Sequence, residues 1–393
     1  MADRRERVRL PWADRPLAPG LILLALGLAY VIAHLVLSAH GDLTRLIVVG
    51  QRNTVDPPAG LHVSPGAGFD GQFEYRLALA PWDFTGHRGG VKLDVPFRAQ
   101  RITYPFLVWV FSGFGRPAAV PYALVGVNLA ALGTLGALGG RLARSYGRHA
   151  LWGLGLGLYF GFVWTLSRDL TELVDAACLV AGVVGVRERR WWLAILGFSA
   201  AVLSRETSLA VVAAYGLWQL PRLWRTRRPA RADLAWAVPI AVFLLWQAYG
   251  RWRLGVWPIR SDQHNAGQPF VDLGHYTKLW LSHAFDDLSA LARATEILTV
   301  FAAVVAALVL APWRDREGYL TVSVLLLAGL GASLSGAVWV GPADLRVLGS
   351  LYVLCVIGVL RSRRHLAPLI LTTLVVVTAV QVLASAYHRA PIT

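Results

Sequence analysis

This sequence has little cysteine and little charge. Of 393 residues only two are cysteines, and only 16% are charged. A soluble chain carries about 25% charged residues. Cys178 and Cys355 both fall inside apolar runs, which argues against a disulfide framework and against a cysteine zinc site. Also absent are a Walker loop, a GxGxxG after a strand, an HExxH pair and a serine elbow. An enzyme built on this chain has carboxylates and arginines to work with, and use of a divalent metal ion is left open.

What the sequence does have is apolar surface in blocks. Hydrophobic residues make up 56% of the chain, and runs such as LAPGLILLALGLAYVIAHLVL and LAPLILTTLVVVTAVQVLASA each suffice to cross a hydrocarbon core of about 30 Å. The expected fold class is an all-α polytopic membrane protein. The first run follows a basic N-terminus but is too long for a signal peptide and shows no small-residue cleavage site, so it reads as an uncleaved span. The formal charge of +15 is confined to short arginine clusters between the runs, among them GRLARSYGRH, RERRWW, RLWRTRRPARAD and RSRRH. That distribution marks the cytoplasmic side of a membrane and argues against nucleic acid as a partner.

Placing every arginine cluster inside gives one consistent path of about eleven spans, with the N-terminus cytoplasmic and the C-terminus outside. The expected spans are 18–38, 118–140, 149–166, 171–186, a pair around SRET, 234–251, 294–312, 318–338, 345–360 and 366–386. The SRET pair has two halves of about 12 to 14 residues each, short for full crossings. A polar turn between them is tolerable only where it lines a cavity in the protein. ITYPFLVWVFSGFG is also short, and reads as a re-entrant or interfacial helix. Two long outside loops result, about 39–101 and 252–292.

Mixed acids, bases and amides gather on the outer face. In GFDGQFEYRLALAPWDF, the residues Phe69, Phe73, Leu77 and Ala80 make a helical apolar stripe with Asp70 and Glu74 off its centre, suiting a helix that lies along the membrane surface. Asp70 is either a helix cap or a catalytic or ligand-binding carboxylate, and the two are compatible. In SRDLTELVD, Asp169, Glu172 and Asp175 recur every third residue and project within one arc of a helix. Asp175, below the surface, requires a partner, with Arg168 and Arg205 the nearest candidates. The cluster is either an ion-pair staple or a site for a charged substrate or metal. DVPFRAQRITYP adds Asp94, Arg98, Gln100, Arg101 and Tyr104, with Arg346 as a weaker case of the same kind. Such arginines either snorkel to lipid phosphates or neutralise the phosphate of a lipid-linked substrate. His264 and His275 read as ordinary surface histidines.

GFDGQFEYRLALAPWDF, FRAQRITYPFLVWVF, TLSRDLTELVDAACLVAG and AAVLSRETSLAVV together resemble a bacterial family of polytopic cell-surface glycopolymer formation proteins, which looks like a member of the GT-C class of membrane glycosyltransferases. The resemblance covers roughly the first 220 residues and implies a module over 1–220, whose first loop holds the active site, followed by C-terminal helices over 221–393. It implies a GT-C-like fold in the bacterial cytoplasmic membrane, a polyprenyl-phosphate-linked sugar donor, and a glycan or glycolipid acceptor on the extracytoplasmic face. Asp70 matches the functional acid of the first outside loop, followed here by Gly71 where the class often has a second acid. Arg101, Asp169, Glu172, Arg205 and Glu206 match other positions of the motifs. A flippase for a lipid-linked sugar and a non-catalytic scaffold of a glycopolymer assembly are the rival expectations.

Overall fold

A hydrocarbon environment leaves backbone amides no partner but one another, so apolar runs close into helices. The computed structural model describes residues 13–261, 266–286, 288–313, 315–339 and 344–388. Its helices, in chain order, begin with α1 Leu17–Leu37, α2 Gly71–Leu79, α3 Thr103–Phe111, α4 Val120–Ser145, α5 Leu154–Gly157, α6 Phe160–Arg168, α7 Glu172–Arg187 and α8 Trp191–Ser204. They continue with α9 Leu209–Thr226, α10 Leu234–Leu254, α11 Val271–Ser282, α12 Leu288–Leu310, α13 Gly318–Ala332, α14 Gly336–Trp339, α15 Gly349–Arg361 and α16 Ala367–His388. Two short strand pairings lie in the segment between α1 and α3: Val49–Gly50 runs parallel to Val63–Ser64, and His87–Arg88 antiparallel to Val91–Lys92.

Each apolar run read as a span falls on helix. Among the described residues four helical segments are both long and apolar enough to cross a membrane: Leu17–Leu37, Val120–Ser145, Arg231–Leu254 and Ala290–Leu310. A fifth is a broken one, Ala150–Gly157 plus Phe160–Arg168, bent by 61°. By contrast α7, α8, α13 and α15 have 16, 14, 15 and 13 residues, short of the roughly 20 that a crossing takes. Large apolar side chains face outward along the long helices, including Leu21, Leu26 and Leu37 on α1, Leu244 and Leu245 on α10, and Leu369 and Val380 on α16. An outward apolar face of this extent is what a lipid surround requires. Inside it, α4 packs against α1 and α7, α7 against α8, α8 against α10, and α12 against α15. The α1–α4 seam is close because small residues face each other: a Cβ at Gly20 would lie 2.5 Å from the Gly133 carbonyl oxygen.

The long connection between α1 and α4 is folded. Within it α2 does not lie along a membrane surface, as the apolar stripe suggested: every residue from Gly71 to Ala78 is buried in the protein. Leu77 packs with Phe84 and Ala99. Arg76 draws the loop that carries Phe84 over the helix, donating to the carbonyls of Asp83 (2.5 Å) and Thr85 (2.7 Å). The short α3 follows as expected for a segment that does not cross. The SRET stretch also breaks as expected: α8 stops at Ser204, Arg205 is extended, and a 3₁₀ turn over Glu206–Ser208 leads into α9.

Candidate active site

Gly71 explains why α2 can start where it does. A Cβ at that position would collide with the Arg168 carbonyl oxygen and lie 2.9 Å from that of Ile47. The backbone of α2 therefore presses against the end of α6, and Asp70, at the entrance of the helix, is brought over the core. Asp70 occupies the N-cap position but makes no capping bond. Its oxygens go instead to Arg98 Nη1 at 3.0 Å and Arg346 Nη2 at 2.6 Å. The capping role is thereby set aside: two guanidinium groups have taken the lone pairs a cap would use.

From Asp70 a charged network runs inward. Arg346 also donates through Nε to Glu172 at 3.0 Å, and Glu172 accepts from Arg205 Nη1 at 2.5 Å and from the Thr165 hydroxyl at 3.3 Å. Arg346 and Arg205 are almost wholly buried, as is Glu172. On the outer side Arg98 is held by both oxygens of Asp94 at 3.1 Å and stacks 4.6 Å from the Phe73 ring centre. Beside this chain stands a separate pair, Arg101 with both oxygens of Glu206, at 2.7 and 3.1 Å. Phe69 lies between Arg346 and Arg168, 4.8 and 4.9 Å from its ring centre, so an aromatic face steadies both cations.

These groups surround a cavity of about 370 Å³. One wall is polar, with Asp70, Asp94, Arg98, Arg101, Arg205, Glu206 and Arg346. The other is apolar, with Leu327 and Leu330 of α13, then Leu334 and Leu351. The exposed Leu325, Leu326 and Leu330 continue that wall onto the outer surface of α13. Four arginines and three acids line the polar wall, and Glu172 sits behind Arg205 and Arg346.

Other expected site residues are placed elsewhere. Tyr104 is fully buried away from the cavity, donating to the Leu124 carbonyl and accepting from Asn128, both at 2.9 Å. Gln100 is a spacer, donating to Glu206 at 3.1 Å and accepting from Gln247 at 2.8 Å. Asp169 does not share a helix with Glu172: it ends α6 in the left-handed region at φ 50°, and neither carboxylate oxygen has a hydrogen-bond partner among the described residues. Asp175 pairs with no arginine among the described residues; it accepts from the hydroxyls of Ser208 (2.7 Å) and Ser350. Glu74, one turn along α2, is buried and off the cavity. His264 and residues 341–343 of GPADLR lie outside the described residues, and His275 is an exposed residue against the edge of Tyr276.

The surroundings separate the two acids of α2. Burial pushes the Asp70 carboxyl upward, but Arg98, Arg346, Arg101 and Arg205 outweigh it and hold it down at about 2. For Glu74 burial dominates, reinforced by Glu172 and Asp70 against the pull of Arg101 and Arg98, and its carboxyl is pushed up to about 8. The donor set does not suit a divalent cation. Among the described residues no group of three acids, histidines or cysteines converges as ligands, and both Asp70 oxygens are already engaged by guanidinium groups.

Sequence reasoning ranked Arg346 last among the candidates, yet it is the bridge between the two acids at the heart of the site. Only its type and its place before an apolar run could have flagged it. Phe69 gave no sign beyond its place in the apolar stripe, and Ser208 and Ser350 gave none. Comparison with protein-family models, with curated proteins and with solved structures finds no match for this chain.

Proposed function

We propose that this chain is a membrane glycosyltransferase of GT-C type, passing a sugar from a polyprenyl-phosphate donor to a cell-envelope glycan or glycolipid. The acceptor is met at the extracytoplasmic face of the bacterial cytoplasmic membrane. The path of about eleven crossings, with the N-terminus cytoplasmic, belongs to the same proposal. The observation that carries the reading is the divided cavity: arginines on one wall, leucines on the other, continuous with the lipid-facing side of α13. A lipid phosphate matches both walls, its headgroup to the guanidinium groups and its chain to the leucines.

The acceptor oxygen attacks the anomeric carbon as that carbon's bond to the phosphate oxygen breaks. The electron pair departs with the polyprenyl phosphate, and the hydroxyl proton passes to a carboxylate. Single displacement inverts the configuration. Arg98, Arg205 and Arg346 stand where charge builds on the leaving phosphate. Held at about 2 by its arginines, Asp70 is a feeble base. Phosphate entering the cavity competes with Asp70 for Arg98 and Arg346, and each cation drawn away makes the carboxylate more basic. Donor binding and arming of the base are then one event.

The test is sugar transfer in nanodiscs with a polyprenyl-phosphate sugar. Asp70→Asn is expected to lower turnover by about 10²–10⁴-fold while the donor still binds. Near-normal turnover of that variant would sink the role of Asp70 as base. Wild type that moves lipid-linked sugar across liposomes without transferring it is a flippase, and one that does neither is a scaffold.

A further inference from the structure

A second built cavity lies at the arginine-rich end of the bundle, and it does not depend on the glycosyl-transfer reading. It is a half-open hollow of about 1140 Å³ between the C-terminal ends of α4, α7, α12 and α15 and the start of α16. Its floor is Arg361, whose side chain is 1% exposed. Arg361 donates through Nη2 to Asp315 at 2.5 Å and the Pro312 carbonyl at 3.1 Å, but its Nη1 has no hydrogen-bond partner among the described residues. A buried guanidinium with an unfilled donor is costly unless something else meets it.

The rim supplies the rest. Arg148 holds the carbonyls of Leu360 (3.1 Å) and Ser362, which fixes the turn carrying Arg363, Arg364 and His365. Arg363 and Arg364 are exposed, and among the described residues their side chains make no ion pair or hydrogen bond. The acids of the cavity, by contrast, are taken: Glu317 by Arg187 at 2.8 Å and Tyr146 at 2.9 Å, Asp315 by Arg361. Next to the rim the surface turns apolar, with Leu366 and Leu369 of the α16 segment facing outward.

We infer that this cavity binds the phosphate of an anionic phospholipid, headgroup against Arg363 and Arg364 with the buried charge of Arg361 beneath them, acyl chains along the outer face of α16. A basic pocket between membrane helices is suited to such a headgroup, and the adjoining apolar face favours a lipid over a free phosphate. The wild-type protein in detergent is incubated with phosphatidylglycerol, phosphatidylcholine, inorganic phosphate or diphosphate. Retained ligand is read by native mass spectrometry and by thermal unfolding. Phosphatidylglycerol is expected to be retained over phosphatidylcholine, and the double variant R363Q/R364Q to weaken that retention by about 30-fold. Both positions are exposed, so the variant is expected to fold; its unfolding temperature without lipid checks this. Equal retention by wild type and variant overturns the proposal. Stronger binding of diphosphate or phosphate than of phosphatidylglycerol overturns the lipid assignment in favour of a soluble phosphate.

Discussion

At one end of α7, Glu172 is shared by Arg205 and Arg346; beyond its other end, Glu317 is shared by Arg187, at 2.8 Å, and Arg361, at 3.6 Å. The motif is the same, one carboxylate between two guanidinium groups, and α15 connects the same two levels from Ser350 to Arg361. The difference lies in what is left over. At the Glu172 end the second arm of Arg346 goes to Asp70, a residue that lines a cavity. At the Glu317 end the surplus is two rim arginines with no side-chain partner among the described residues. A buried acid between two arginines is therefore common to both ends, and the ends differ in the groups around it.

Removing the bridge at one end should break the comparison most severely. Arg346→Gln leaves Asp70 with Arg98 alone and Glu172 with Arg205 alone, and the expected loss is about 3 kcal/mol in reversible unfolding, the low end for a buried pair deprived of one partner. Adding Asp70→Asn to it should restore part of that loss, because one of the two acids deprived of Arg346 no longer carries a charge. Strict additivity of the two single changes in a double-mutant cycle would show that Asp70 and Arg346 are not coupled.

A smaller effect is expected from the packing that sets Asp70 in place. Gly71→Ala drives a methyl group against the Arg168 carbonyl, and overpacking of this kind costs about 1–3 kcal/mol. The shift should also reduce donor binding, since Asp70 moves with the start of α2. Unchanged stability and donor affinity in this variant would mean that the close approach of α2 to α6 does not position the acid.

The mildest change sharpens the contrast between the two acids of α2. Glu74 is raised from an ordinary 4.5 to about 8, so the folded protein keeps a proton that the unfolded chain gives up. Its contribution is full below about pH 4.5 and is lost as pH rises through about 8. Asp70 has the opposite sign: it is depressed to about 2, so its contribution is complete above about pH 4 and is lost only in strong acid. Between pH 5 and 8 the melting temperature of the wild type should therefore carry a downward component that Glu74→Gln removes. Parallel curves for the two proteins across that window would contradict the burial assigned to Glu74.

Much of the architecture could be read from the chain because it is one-dimensional information. A run such as that of α1 specifies a helix on its own, since a backbone in hydrocarbon must bond to itself whatever its neighbours do. The break at SRET was legible for the same reason: two halves too short to cross cannot hide a polar turn except in a cavity. The site was legible by residue type and position, as with Asp70, Arg98, Arg205 and Glu206. Its pairing was not. Asp175 needed a partner, and arginine was the reasonable choice, but Ser208 and Ser350 are brought to it by α9 and α15 from distant parts of the sequence. The spacing of Asp169, Glu172 and Asp175 suggested one helical face, whereas the chain breaks at Asp169 and sends that carboxylate elsewhere.

By itself the sequence determined that this protein is helical, largely apolar on its outside, and basic in short clusters between its helices. Those properties follow from local composition and period, which need no knowledge of what packs against what. Only the tertiary structure decided that α2 is enclosed, because the loop that covers it is drawn in by Arg76 hydrogen bonds to residues further along. It also decided that Arg346, 276 residues from Asp70, joins that acid to Glu172. An ion pair depends on the distance between two side chains in space, and no periodicity within either segment encodes the distance between them.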